Sequence, residues 1–146
     1  MSSFALMNQY SIAIHGGAGT ILKSTMTHEK ELAYNLGLLD AITVGENILK
    51  AGGSALDAVE AGVRCLEDNP LFNAGKGAVF TNDGKHELDA SIMNGKDLTA
   101  GAVAGISNIK NPISLARAVM EQSDHVLLMG NGAMDFAKKI NAVIES

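Results

Sequence analysis

Tryptophan is absent from the 146 residues, and all aromatics together make up only 4%. A core of stacked rings is thereby excluded, and the interior must be filled by Ala, Val, Ile, Leu and Met. Cysteine occurs once, at Cys65. A single thiol excludes an internal disulfide framework, fits a reducing, cytoplasmic setting, and reads as a small buried apolar residue rather than a nucleophile. Apolar runs are short, and none approaches the roughly 18 residues needed to cross a bilayer. The start, Met1-Ser2-Ser3-Phe4-Ala5-Leu6-Met7-Asn8-Gln9, lacks the basic opening and long apolar stretch of a signal peptide, so residues 1–9 are expected to be a flexible leader. Basic residues are outnumbered, 11 Lys and Arg against 16 Asp and Glu, for a net charge of −5. With no basic stripe to neutralise phosphates, nucleic acid is excluded as the main partner.

What is abundant is glycine, 16 residues, placed beside the regular segments rather than in one linker; this suits tight turns and close backbone approaches. The length fits one domain, residues 10–146. Tyr10 to Ile14 is β-rich and runs into His15-Gly16-Gly17-Ala18-Gly19, a strand ending in a glycine turn. A helix is predicted from Thr27 or His28 to about Lys50, with Leu32, Leu36, Leu39, Ile42 and Ile48 or Leu49 as its apolar stripe. Gly52-Gly53 stops it. Ser54-Ala55-Leu56-Asp57 has capping-box spacing and opens a second helix to about Asp68, with Leu56, Val59, Val63 and Leu66 on one face. Asn69-Pro70 breaks that helix and leads into a shaped loop, Leu71-Phe72-Asn73-Ala74-Gly75-Lys76-Gly77.

Asp83-Gly84 sits between two alternating segments, Ala78–Thr81 and His86–Met93, which predicts a hairpin. Thr99–Ile106 is nearly all Ala, Gly and Val, a strand expected to be buried on both faces. Asn111-Pro112 supplies an N-cap and a first-turn proline for a helix to Glu121. His125–Met129 is a strand, and Gly130-Asn131-Gly132 leads into a last helix ending near Lys139. The order β–αα–βββ–α–β–α argues for a mixed or antiparallel sheet with helices on a face, a layered α+β architecture.

Several segments carry candidate chemistry. The amides of the His15–Gly19 turn can cradle an anion or an oxyanion, or the turn is structural; it lacks the dinucleotide pattern. His15 is a base or a hydrogen-bonded strand end. Gly75-Lys76-Gly77 lacks the spacing and the following Ser or Thr of a phosphate loop; carbonyls between Leu66 and Lys76 can instead hold a hard cation. Glu87 and Asp89 share a strand face, as a carboxylate pair or as a solvated surface. No Cys/His metal spacing, nucleophile elbow or Ser/His/Asp set is present.

Five segments, Ile14–Gly19, Gly52–Val59, Asn69–Gly77, Glu87–Met93 and Ala100–Gly105, together resemble the isoaspartyl peptidase / plant-type L-asparaginase family of N-terminal-nucleophile hydrolases. The match runs in family order from Tyr10 to about Lys138. The resemblance implies a precursor that cuts itself before a threonine, giving α and β subunits. The freed threonine amine then serves as base for its own hydroxyl. It implies attack on asparagine or β-aspartyl dipeptides, an αββα sandwich shared by both subunits, an (αβ)2 assembly, no organic cofactor, and a structural sodium ion. By resemblance this chain is the α-subunit portion and holds no catalytic residue itself. Gly16 and Gly17 match a glycine loop beside the nucleophile, and Asn73 an asparagine near it. The main-chain carbonyls of Leu66, Glu67, Asn69, Phe72, Ala74 and Lys76 match a sodium loop.

Two departures stand out. Asn94 replaces a common Asp in a turn that suits either, and after Asn141 the polar linker and Thr-initiated segment are missing. Thr20, Thr25, Thr27, Thr43, Thr81 and Thr99 all lie inside segments matched to the α subunit. The rival expectations are a catalytically inactive truncated homologue acting as a structural or regulatory partner, and an anion- or nucleotide-binding module.

Overall fold

The computed structural model describes residues 10–17 and 23–145. The leader 1–9, and Ala18 and Gly19 of the glycine turn, lie outside the described residues. Four helices, α1 (His28–Lys50), α2 (Ala55–Glu67), α3 (Pro112–Gln122) and α4 (Gly130–Lys139), accompany three strands, β1 (Leu88–Met93), β2 (Ala100–Ile106) and β3 (Leu127–Met129). No helix among the described residues is long and apolar enough to cross a membrane.

Local signals in the sequence set most boundaries. Thr27 caps α1 by accepting the Lys30 N–H at 3.2 Å. Gly52 takes φ +82° just beyond the helix, and the Gly53 N–H returns to the Ile48 carbonyl at 2.9 Å, closing the C-terminal turn that glycine permits. The capping box of α2 forms as expected: Ser54 Oγ accepts from the Asp57 N–H at 3.1 Å and Asp57 Oδ2 accepts from the Ser54 N–H at 3.3 Å. Pro112 opens α3.

The sheet is mixed, in the order β1-β2-β3, with β1 antiparallel and β3 parallel to β2. Leu88 and Ile92 of β1, Val103 and Ile106 of β2, Ile113, Leu115 and Val119 of α3, and Ala133 and Ala137 of α4 share the main core. Gly101 lets α3 lie close on β2: a Cβ there would sit 2.2 Å from the Ala116 carbonyl oxygen. A second, smaller cluster joins Ala41, Leu66 and Phe72.

Four expectations need correction. Tyr10–Ile14 forms no strand among the described residues; no partner strand there offers the ladder a strand needs, and Ile12, Ala13 and Ile14 instead line a cavity with Ala58, Val59 and Val63 of α2. Ala78–Thr81 is likewise not a strand. The Asp83-Gly84 turn forms, with Gly84 at φ +71° and the Thr81 N–H bonded to the Lys85 carbonyl at 2.7 Å. The ladder stops there because the Val79 N–H is taken by the Asn73 side chain. β2 is fully buried on one face only, with Ala100, Ala102 and Ala104 partly open on the other. Finally, α1 buries Gly37, Ala41 and Gly45 rather than its leucines, and Leu32, Leu36 and Leu39 are each about half exposed. The small residues win because they let α1 and α2 approach closely: a Cβ on Gly45 would stand 3.1 Å from the Ala58 carbonyl.

Candidate functional site

The shaped loop after α2 organises the site. Asn69 starts it: its Oδ1 accepts the Leu71 N–H at 3.0 Å, a turn closed by a side chain. Backbone bonds Phe72 N–H to Asn69 O, Ala74 N–H to Phe72 O and Gly77 N–H to Ala74 O then fold the loop on itself. Phe72, 4% exposed, is its anchor. The ring meets Tyr34 of α1 edge-on at 5.6 Å. A Cβ added to Gly37 would lie 2.9 Å from Phe72 Cε2, and one added to Gly16 would lie 3.3 Å from Phe72 Cε1 and 2.8 Å from Leu38 Cδ2. Glycine on both sides thus admits the ring, and the ring fixes the glycine turn against the loop that carries Asn73. Gly17 follows at φ +111°, a conformation that suits glycine.

Asn73 accepts the Val79 N–H on Oδ1 at 3.0 Å. It lines a cavity of about 240 Å³ together with Glu67, Gly75, Glu87 and Asp89. His15 is not brought to that cavity; it lines a separate one of about 200 Å³ with Ile12, Ile14 and residues of α2. The Glu87/Asp89 pair is divided by role. Asp89 Oδ1 accepts the Gly105 N–H at 2.8 Å, at the register shift between Leu88 and Ala90 where Gly105 adopts φ +58°. Asp89 therefore stabilises a bulge; both carboxylates are exposed.

Leu66, Glu67, Asn69, Phe72, Ala74 and Lys76 all fall on the end of α2 and this loop. The carbonyls of Leu66, Asn69, Phe72 and Ala74 each already accept one backbone N–H, which leaves a second lone pair on each oxygen. Side chains are excluded where the loop doubles back: a Cβ on Gly75 would lie 2.5 Å from the Glu67 carbonyl, and one on Gly77 would meet the carbonyls of Phe72 and Pro70 at 2.1 and 2.8 Å. Neutral oxygens gathered around two glycines fit a hard cation of low charge. Among the described residues no group of three or more His, Cys, Asp or Glu side chains forms a metal cluster.

Two features escape a reading of the sequence. Arg117 of α3 binds Asp57 Oδ1 and Glu60 Oε2, each at 2.7 Å, and Glu121 Oε1 at 2.8 Å, tying α3 to α2. Glu67 is 3% exposed; its Oε1 accepts the Ile113 N–H at 2.9 Å, and Oε2 has no hydrogen-bond partner among the described residues. Burial pushes the Glu67 carboxyl up to about 7, while the Ile113 N–H and the Asn111 side chain pull it back. The folded chain thus keeps this proton, from the ordinary 4.5 up to about 7, where the unfolded chain has lost it. Stability from this group is present in full below the unfolded value and is lost as pH rises through the folded one, by roughly 3 kcal/mol. In Glu67→Gln that loss is expected to disappear, which denaturant midpoints at about pH 5 and about pH 8 will measure.

Hydroxyl–carboxylate contacts serve structure: Ser54 with Asp57 is a helix cap, Thr99 with Asp97 a turn, and Ser114 with Glu60 an interhelical bond. What the geometry offers is a supported loop and glycine turn.

Comparison with known proteins decides the family. A family model described as asparaginase matches residues 8–145. The chain belongs to the asparaginase family. It is 56% identical over 131 residues to an isoaspartyl peptidase of Salmonella typhimurium, covering 90% of this chain and 42% of that protein. It is 59% identical over 128 residues to a plant-type L-asparaginase of Pyrococcus furiosus, covering 88% and 40%. An isoaspartyl peptidase/L-asparaginase of Bos taurus is 51% identical over 126 residues, covering 86% and 40%. The chain therefore spans about 40% of the length of the curated relatives it matches. The family match, over residues 8–145, takes in both glycine-rich segments.

Proposed function

We propose that this chain is the α-subunit portion of an isoaspartyl peptidase/L-asparaginase, supplying the support of the active site while the nucleophile lies in the remaining part of the protein. The observation that carries the reading is the contact of Gly16 with Phe72, which holds the glycine turn to the loop of Asn73. Those are two of the segments whose resemblance points to a site built around an N-terminal threonine.

In this reading a precursor cuts itself before that threonine, whose amine takes the proton from its own hydroxyl. The substrates are L-asparagine and β-aspartyl dipeptides, compounds that share an amide on an aspartyl side-chain carbonyl. Gly16 and Gly17 bring main chain close to the reacting group without a side chain in the way. Asn73, with Oδ1 engaged by the Val79 N–H, keeps its amide N–H donors for the site. The carbonyls of Leu66, Glu67, Asn69, Phe72, Ala74 and Lys76 hold a sodium ion, whose charge steadies the loop. The partly open face of β2 and the exposed leucines of α1 belong under the rest of an αββα sandwich, and two αβ units pair in the cytoplasm.

Intact-mass and N-terminal analysis of the protein expressed with the sequence that follows Ser146 tests this. A second fragment beginning with threonine is expected. A complete coding sequence that ends without one would favour the truncated, inactive homologue.

A further inference from the structure

Helix α3 begins without its own side-chain cap. Asn111 stands at the capping position, yet it makes no cap bond; its Nδ2 donates instead to Asp68 Oδ1 at 3.1 Å. The cap comes from 46 residues away, through Glu67 Oε1 on the Ile113 N–H. Glu67 is the last residue of α2, and its main-chain carbonyl is packed against Gly75 in the carbonyl loop. One residue thus has its two ends in two different structures.

We propose that Glu67 is a positioning residue that couples the carbonyl loop to the start of α3, so that a cation seated in the loop and the capped form of α3 stabilise each other. This rests on the reading of that loop as a cation site. The physical reason is linkage. A cation fixes the Glu67 backbone, which holds the carboxyl oxygen at the Ile113 N–H; an intact cap in turn holds the carbonyl where the cation needs it. Any such coupling is reciprocal. Ile113 is in the main core with Val103 and Ile106, so the link reaches from the loop of Asn73 into the sheet.

The test is a thermal-shift titration of the full-length protein with sodium chloride, using choline chloride to hold ionic strength constant. Three forms are compared: unaltered, Glu67→Gln and Glu67→Met. Gln keeps an acceptor oxygen; Met keeps the volume and loses the acceptor. The sodium midpoint is expected to rise about fivefold or more in Glu67→Met, the lower end of common coupling factors, and to stay within about twofold in Glu67→Gln. Adding Asn111→Ser to Glu67→Met removes the side chain that is drawn away to Asp68 and puts a short hydroxyl at the capping position, free to cap α3 locally. This secures a folded protein and should restore the melting temperature in choline, but not the sodium midpoint. Equal midpoints in the unaltered and Met forms overturn the coupling, as does a full recovery of the midpoint by Asn111→Ser. No sodium-specific shift in the unaltered protein overturns the coupling and the cation-loop reading together, while leaving the family and its hydrolytic reading untouched.

Discussion

Phe72→Ala is expected to lose about 3–5 kcal/mol of folding stability, the range for emptying a buried aromatic site. The ring is almost fully buried, fills the space that Gly16 and Gly37 leave, and meets Tyr34 edge-on. The void cannot close easily, because the glycines on either side have no side chains to move in. Edge-to-face contact with Tyr34 adds about 0.5–1.5 kcal/mol beyond burial. Denaturant unfolding of the most complete form of the protein that can be produced is the measurement. Phe72→Leu, which keeps apolar bulk, should lose markedly less. A loss under about 1 kcal/mol for Phe72→Ala, no more than an average substitution, would mean that the ring is not the anchor of the loop.

Gly77→Ala is expected to rival it for a different reason. The added Cβ would sit 2.1 Å from the Phe72 carbonyl oxygen and 2.8 Å from that of Pro70, inside contact distance of backbone that cannot rotate away. The loop must shift, at about 3 kcal/mol or more, the upper part of the overpacking range. The shift moves the same carbonyls that the cation reading uses, so sodium stabilisation should fall with it. Gly95→Ala is the control: nothing lies within 4 Å of its Cβ, and its effect should stay within about 0.5 kcal/mol. Equal effects at the two glycines would contradict the crowding at Gly77.

Sequence signals that act locally were legible. Thr27, the Ser54–Asp57 box, Gly52-Gly53 and Pro112 act within a turn of their own position, and each helix end they marked lies where they put it. The apolar stripe of α1 misled because the helix carries two candidate faces. Periodicity finds Leu32, Leu36 and Leu39, but Gly37, Ala41 and Gly45 recur at the same spacing and permit the closer approach. Strand signals at Tyr10–Ile14 and Ala78–Thr81 describe residues that can pair, and pairing depends on a neighbour the local sequence does not contain.

For the site the division is similar. The glycine turn and Asn73 stand out as motifs, and both lie within the residues that the asparaginase family model matches. The role of Phe72 was hidden, since a phenylalanine in a loop reads the same whether it anchors or only fills. Glu67 was assigned for its carbonyl, and nothing near it in sequence announces that its carboxylate caps a helix 46 residues on. Arg117 is equally silent: its partners Asp57 and Glu60 lie 60 and 57 residues away.

The central claim is that this chain holds the supports of the site and not its nucleophile. The direct measurement is hydrolysis of a β-aspartyl dipeptide and of L-asparagine by the purified 146-residue chain, beside the same chain completed by the sequence that follows it. The chain alone should release no aspartate above background, and the completed protein should turn over both substrates. Sustained turnover by the chain alone, abolished by substituting one of its own hydroxyl residues, would contradict the account.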